Sequence, residues 1–131
     1  MISKKLGDLG EKIAENYLKN KEYQILDKNY SPKFISGPQR GEIDIIAKKG
    51  DNITFIEVKT LTGDSPGTVP YFSPEENVNF LKQRKIIKTA QSWLMEKKIS
   101  PETKWQIDII SIKIDFNLKK AKIRHFQNAV F

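Results

Sequence analysis

The chain has 131 residues, the length of one ordinary domain with a single core. Its 38% apolar and 30% charged residues, with only 7 Gly and 6 Pro, exclude disordered, collagen-like and low-complexity classes; the lack of cysteine excludes a disulfide framework, Cys-bound zinc and thiol nucleophiles. Lys and Arg number 23 against 16 Asp and Glu, a formal charge of +7 that favours a polyanionic partner such as nucleic acid.

In chain order, Ser3 caps a first helix predicted to reach about Asn20, with Leu6, Leu9, Ile13 and Tyr17 on one apolar face. Lys4 and Lys5 are followed by Gly7, Asp8, Gly10 and Glu11, which leaves no continuous apolar signal segment. No membrane span follows either, so the expected address is cytoplasmic. Glu11 falls in the stripe Gly7, Glu11, Ala14, Leu18 beside the apolar face and is expected half-buried. Gly7 and Gly10 each cost about 1 kcal/mol relative to Ala in a helix, which makes sense where another backbone approaches closely. A late helix start with a solvated Glu11 fits the same residues.

Tyr23 to Tyr30 reads as a first strand and Ser31 to Arg40, with two Pro and a Gly, as a connection. Glu42 to Lys48 and Ile53 to Thr60 are β-branched-rich strands joined by Lys49-Gly50-Asp51-Asn52, which predicts an antiparallel hairpin. Both carry apolar residues on both faces, the pattern of central strands covered on two sides. Thr60 to Pro74 is the one long loop. A second helix ends near Lys97 or Lys98, before Ser100-Pro101. Ser73 and Asn79 are both competent N-caps, and the stripe Ile86, Ile87, Ala90, Trp93, Leu94 favours Asn79. Trp105 to Ile112 is a fourth strand and Ala121 to Phe126 a fifth at an edge. The order predicts a single α/β domain over residues 1–131, an αβββαβ core with a central mixed sheet flanked by helices.

Glu42, Asp44, Glu57 and Lys59 stand where a purely structural sheet would carry Val, Ile or Phe. The period of two puts Glu42 and Asp44 on one face, and Phe55, Glu57 and Lys59 on one face with Ile56 and Val58 behind. Asp44 and Glu57 can therefore meet across the hairpin. Two converging carboxylates repel unless a cation lies between them, and hard oxygen donors suit Mg²⁺ or Mn²⁺. A lysine beside such a cation can orient or deprotonate an attacking water, or stabilise charge building on a phosphorane, which is phosphodiester hydrolysis chemistry. The plainer alternative is a Glu57–Lys59 ion pair with Asp44 solvated at the sheet rim.

Lys82, Arg84, Lys85 and Lys88 lie mainly on the helix side opposite Ala90 and Leu94, where they can face phosphates or simply water. Gln83, near the apolar stripe, can reach the site or satisfy backbone. Trp93 and Trp105 read as core rather than base-stacking platforms, and His125, the sole histidine, as a hydrogen-bonding edge residue.

The string Gly41-Glu-Ile-Asp-Ile-Ile-Ala47 followed by Ile56-Glu-Val-Lys-Thr60 resembles the signature of the YraN-like family. The resemblance extends to Gly7, Gly10, Glu11 and Ala14, to Asn29, to Lys82, Ala90 and Leu94, to Asp108, and to His125 with Asn128-Ala129. That family is similar to the PD-(D/E)XK restriction-endonuclease-like nucleases, most closely to archaeal-type Holliday-junction resolvases, which share the αβββαβ core. The resemblance implies Asp44 as motif aspartate, Glu57 as second acid, Lys59 as motif lysine and Glu11 as helix-borne acid. It further implies Mg²⁺ held by Asp44, Glu57 and the Val58 carbonyl, a DNA substrate that is branched or damaged, and a homodimer. The alternative function is a non-catalytic nucleic-acid or protein-binding module that retains the fold.

Overall fold

A computed structural model describes residues 2–37, 40–62 and 80–130. The elements are α1 (Ile2–Asn20), β1 (Gln24–Tyr30), β2 (Ile43–Lys49), β3 (Asn52–Thr62), α2 (Phe80–Glu96), β4 (Lys104–Asp115) and β5 (Lys120–Val130). The strands form one mixed sheet in the order β1-β2-β3-β4-β5. Only β3 and β4 run parallel, because α2 lies between them in sequence and carries the chain back to the same end. The predicted α/β order is the observed one, and the fifth strand does lie at an edge.

Each helix covers one face. Phe55, Ile46, Ile107 and Ile109 pack against Ile86, Ala90 and Trp93 of α2. Phe55 meets Trp93 and Trp105 edge-on, with ring centroids 5.7 and 5.6 Å away. On the other face Ile45, Ala47, Ile56, Ile110 and Ile112 pack against Ala14 and Leu18 of α1. This is why β2 and β3 are apolar on both sides. Gly50 supplies the left-handed residue (φ 60°) of a two-residue turn closed by the Lys49↔Asn52 pair.

Both helices stop in the same way without glycine. Tyr23 N–H donates to Leu18 O at 2.9 Å with Glu22 at φ 70°, and Ile99 N–H donates to Leu94 O at 2.9 Å with Lys98 at φ 54°. Hence α2 ends at Glu96, a residue or two before the predicted limit. Both predicted N-caps, Ser73 and Asn79, lie outside the described residues, as does most of the predicted Thr60 to Pro74 loop, of which β3 takes the first three residues.

Two expectations about α1 change. Its buried stripe is centred on Gly10, Ala14 and Leu18, and Leu9, predicted on the apolar face, is 41% exposed. The small residues face the sheet because the helix comes close to β3. A Cβ on Gly10 would collide with the Thr60 side chain, so a side chain, not the expected backbone, makes the close approach; at Gly7 nothing lies within 4 Å. The rotation leaves Glu11 half-buried at the margin of the stripe. We therefore expect Gly10→Ala to lower stability by about 1–3 kcal/mol through overpacking, and Gly7→Ala to raise it by up to about 1 kcal/mol through helix propensity. Thermal melts of the two variants should move in opposite directions.

Candidate functional site

The β2–β3 ladder stops at Ile45↔Ile56, whereas β3 goes on pairing with β4 to Thr62↔Ile114. One step beyond the last β2–β3 pair, the register sets Asp44 opposite Glu57. Val58 N–H, which points towards β2, donates to Asp44 Oδ2 at 2.7 Å, so a side-chain carboxylate occupies the place of the next ladder bond. The Asp44 and Glu57 carboxyls are hydrogen-bonded to each other. Asp44 is thus not solvated at the rim, and the plain Glu57–Lys59 ion pair is not what the strands build. Lys59 lies two residues beyond Glu57, half-buried with it.

Two further elements close on this pair. From α1, Glu11 reaches the field of Asp44 and Glu42, beside a small recess that Asp8, Glu15 and Lys28 also line. From α2, Lys82 lies against Glu57 and Lys59. An open cleft of about 390 Å³ is lined by Arg40, Glu42, Glu57, Leu81, Lys82 and Lys85, among others. Lys82 and Lys85 therefore face the carboxylates instead of lying opposite the packed side, while Arg84 and Lys88 are exposed. Gly41 permits this: a Cβ there would collide with the Thr89 hydroxyl of α2 and come within 3.0 Å of Lys85 Cγ. The Gly41 carbonyl accepts a hydrogen bond from Ser31 Oγ at 2.6 Å, and Ser31 accepts one from Arg40 Nε at 2.7 Å, which fixes the approach to β2.

Electrostatics follow from this crowding. Burial, and then the Asp44 charge, push Glu57 up to about 7, with Lys82 and Lys59 pulling the other way. Burial raises Asp44 too, opposed first by the Val58 N–H. Glu11 is pushed up to about 7 by burial and by Asp44, Asp8 and Glu42. Burial and the neighbouring Lys82 ammonium lower Lys59, while Glu57 and Asp44 act against that.

The donor set fits a hard divalent cation. Two facing carboxyls in a desolvated notch repel when both are charged, and either a proton or a cation between them relieves this. Among the described residues, no group of three or more His, Cys, Asp or Glu converges as a complete cage. Mg²⁺ does not require one, since one or two carboxylates with waters and substrate phosphate are its usual protein sphere.

His125 belongs to a separate buried assembly on the α1 face. Its Nε2 lies 2.7 Å from Asp108 Oδ2 and its Nδ1 3.1 Å from Tyr17 Oη. Asp108 Oδ1 also accepts from Gln106 Nε2 and from Asn128 N–H, both at 2.8 Å. Asn128 sits at φ 48° where the β4–β5 register shifts, so Asp108 pins the irregularity of the edge strand. His125 is the hydrogen-bonding edge residue expected from sequence. The sequence reading missed this assembly as a unit, because residues 17, 106, 108, 125 and 128 share no local pattern.

Residues 10–112 match the sequence profile of the uncharacterised protein family UPF0102. A UPF0102 protein of Alkaliphilus oremlandii is 41% identical over 128 residues, 98% of this chain and 99% of the relative. One of Clostridium tetani is 46% identical over 110 residues, covering 84% and 80%, and one of Clostridioides difficile is 39% identical over 129 residues, covering 98% and 99%.

A carboxyl whose folded value is raised to about 7 favours the fold when protonated, and that contribution is lost as pH climbs from the unfolded carboxyl range through 7. In chelator, Glu57→Gln should therefore match the parent near pH 5 and become more stable by on the order of 1 kcal/mol near pH 8, a gap that thermal melts across pH will show.

Proposed function

The chain belongs to the uncharacterised protein family UPF0102, and we propose that it is a divalent-metal-dependent nuclease hydrolysing phosphodiester bonds in DNA. The reading is carried by one observation: Asp44 and Glu57 face each other at the point where the β2–β3 ladder gives way, with Lys59 beside them. None of the described helices is long and apolar enough to cross a membrane.

Asp44, Glu57 and the Val58 carbonyl would hold Mg²⁺ or Mn²⁺. A cation there supplies polarisation of the scissile phosphate and a more acidic bound water. The chain's own groups do the rest. Val58 N–H and the opposing Glu57 hold Asp44 in one orientation, so the notch is set before substrate arrives. Burial and Lys82 favour the neutral amine of Lys59, and in that form it orients the attacking water and takes up the water's proton as oxygen bonds to phosphorus. Glu11 completes the negative rim from α1 and receives a proton readily near neutral pH. Lys82 and Lys85 hold the phosphate in the cleft, and Arg84 and Lys88 contact the backbone further out. The leaving oxygen departs with a proton from solvent. Branched or damaged DNA is the proposed substrate, with two copies acting together where two strands are cut.

Labelled duplex, flap, single-stranded and four-way DNA should be incubated with the protein in Mg²⁺, Mn²⁺ or chelator. Cleavage is expected only with metal, reduced about 100-fold or more in Asp44→Ala, Glu57→Ala and Lys59→Ala, each checked for folding. DNA binding with no cleavage of any substrate would favour the non-catalytic module instead.

A further inference from the structure

The α2 face of the sheet continues past the end of the core. Lys59 pairs with Ser111, which pairs with Arg124; the next row is Leu61, Lys113 and Lys122, and the next Asp115 and Lys120. Directly paired residues share a face, so Arg124, Lys113, Lys122 and Lys120 stand on the same side of the sheet as Glu57 and Lys59. Phe126 confirms the side: it packs into the α2-face core, and the Arg124 guanidinium lies 5.0 Å from its ring centroid. Neither helix covers this part of the α2 face, and all four basic side chains are exposed.

Two features mark the strip as more than a solvated edge. Lys113 and Lys122 are directly opposite, a like-charge pair that weakens a hairpin. Segment 113–124 contains five cations and one acid, Asp115, whose Oδ1 already accepts from Asn117 N–H at 3.0 Å and Leu118 N–H at 3.1 Å. Among the described residues, none of these cations forms an ion pair with a carboxylate.

We propose that the sheet-borne strip Arg124, Lys113, Lys122 and Lys120 is a phosphate track that seats the DNA backbone and leads it to Lys59. It is distinct from the α2 cations Lys82 and Lys85, which line the cleft beside Glu57. The inference rests on the nuclease reading for its partner, and its test separates the two.

Binding of a fluorescent duplex should be measured by anisotropy in chelator, across salt, for the parent, Lys113→Ala/Lys122→Ala, and the charge-matched control Lys48→Ala/Lys104→Ala at the opposite end of the sheet. The first double variant should bind at least tenfold more weakly, with a log–log salt slope smaller by about 2, and the control within twofold of the parent. Its melting temperature should hold or rise as the like-charge pair is removed, which separates lost binding from lost fold. Equal weakening in both variants, or none in the first, overturns the track. So does tight binding to phosphatidylserine vesicles without binding to DNA, a needed control because Phe116 and Leu118 at the hairpin tip are 57% and 64% exposed. Track-dependent binding without cleavage in metal would sink the nuclease reading and leave the track; cleavage indifferent to Lys113 and Lys122 would do the reverse.

Discussion

The hydrogen bond from the Val58 N–H to the Asp44 carboxylate is where sheet construction turns into a site. An antiparallel ladder that simply continued would pair backbone with backbone and leave no polar group in need of a ligand. Here a side chain takes the backbone's place and the β2–β3 pairing ends, while β3 remains anchored on its other side to β4 as far as Thr62. The result is a strand that, among the described residues, is laddered on one flank only beyond Ile56. Asp44 and Glu57 are brought together there by register alone, without a flexible loop to position them.

This arrangement works against stability. Two carboxyls in a desolvated notch and a lysine beside another lysine are groups that a chain selected for stability alone would replace with apolar residues. The supports around the notch are correspondingly specific. Gly10 lets α1 close over Thr60, Gly41 lets α2 close over β2, and Ser31 ties down the Gly41 carbonyl. The helices thus serve as core on their inner stripes and as carriers of Glu11 and Lys82 at their margins. A site drawn from two helices and two strands is fixed only when both cores are packed, so its acidity and its fold are coupled.

The layout was legible in sequence wherever periodicity carries it. The doubly apolar β2 and β3 announced a sheet covered on both faces, and the placement of Glu57 and Lys59 on the Phe55 face follows from a period of two. Elements held by long-range pairing were less visible. β4 and β5 each extend beyond their predicted ends. β4 runs on to Asp115 through rows that include Lys122 and Lys120, and β5 runs past Phe126 to Val130 across a register shift, so its last residues are held by long-range pairing that leaves no local pattern. The centring of α1 on Gly10, Ala14 and Leu18 was obscured because the larger Leu6, Ile13 and Tyr17 pack at the margin of the same core and, with Leu9, mark a neighbouring stripe from which only Leu9 turns out exposed. Lys82 and Lys85 were expected on the outer side of α2, and only the close approach at Gly41 reveals that they turn towards the carboxylates.

The account turns on whether a divalent cation displaces the proton that burial and the Asp44 charge favour on Glu57. Calorimetric titration of the protein with Mn²⁺ near pH 6.5, repeated in buffers of different ionisation heat, reads binding and proton release together. One ion per chain with release of protons, both lost in Glu57→Gln, is the predicted result. Absence of binding, or binding without proton release that survives in Glu57→Gln, would contradict it.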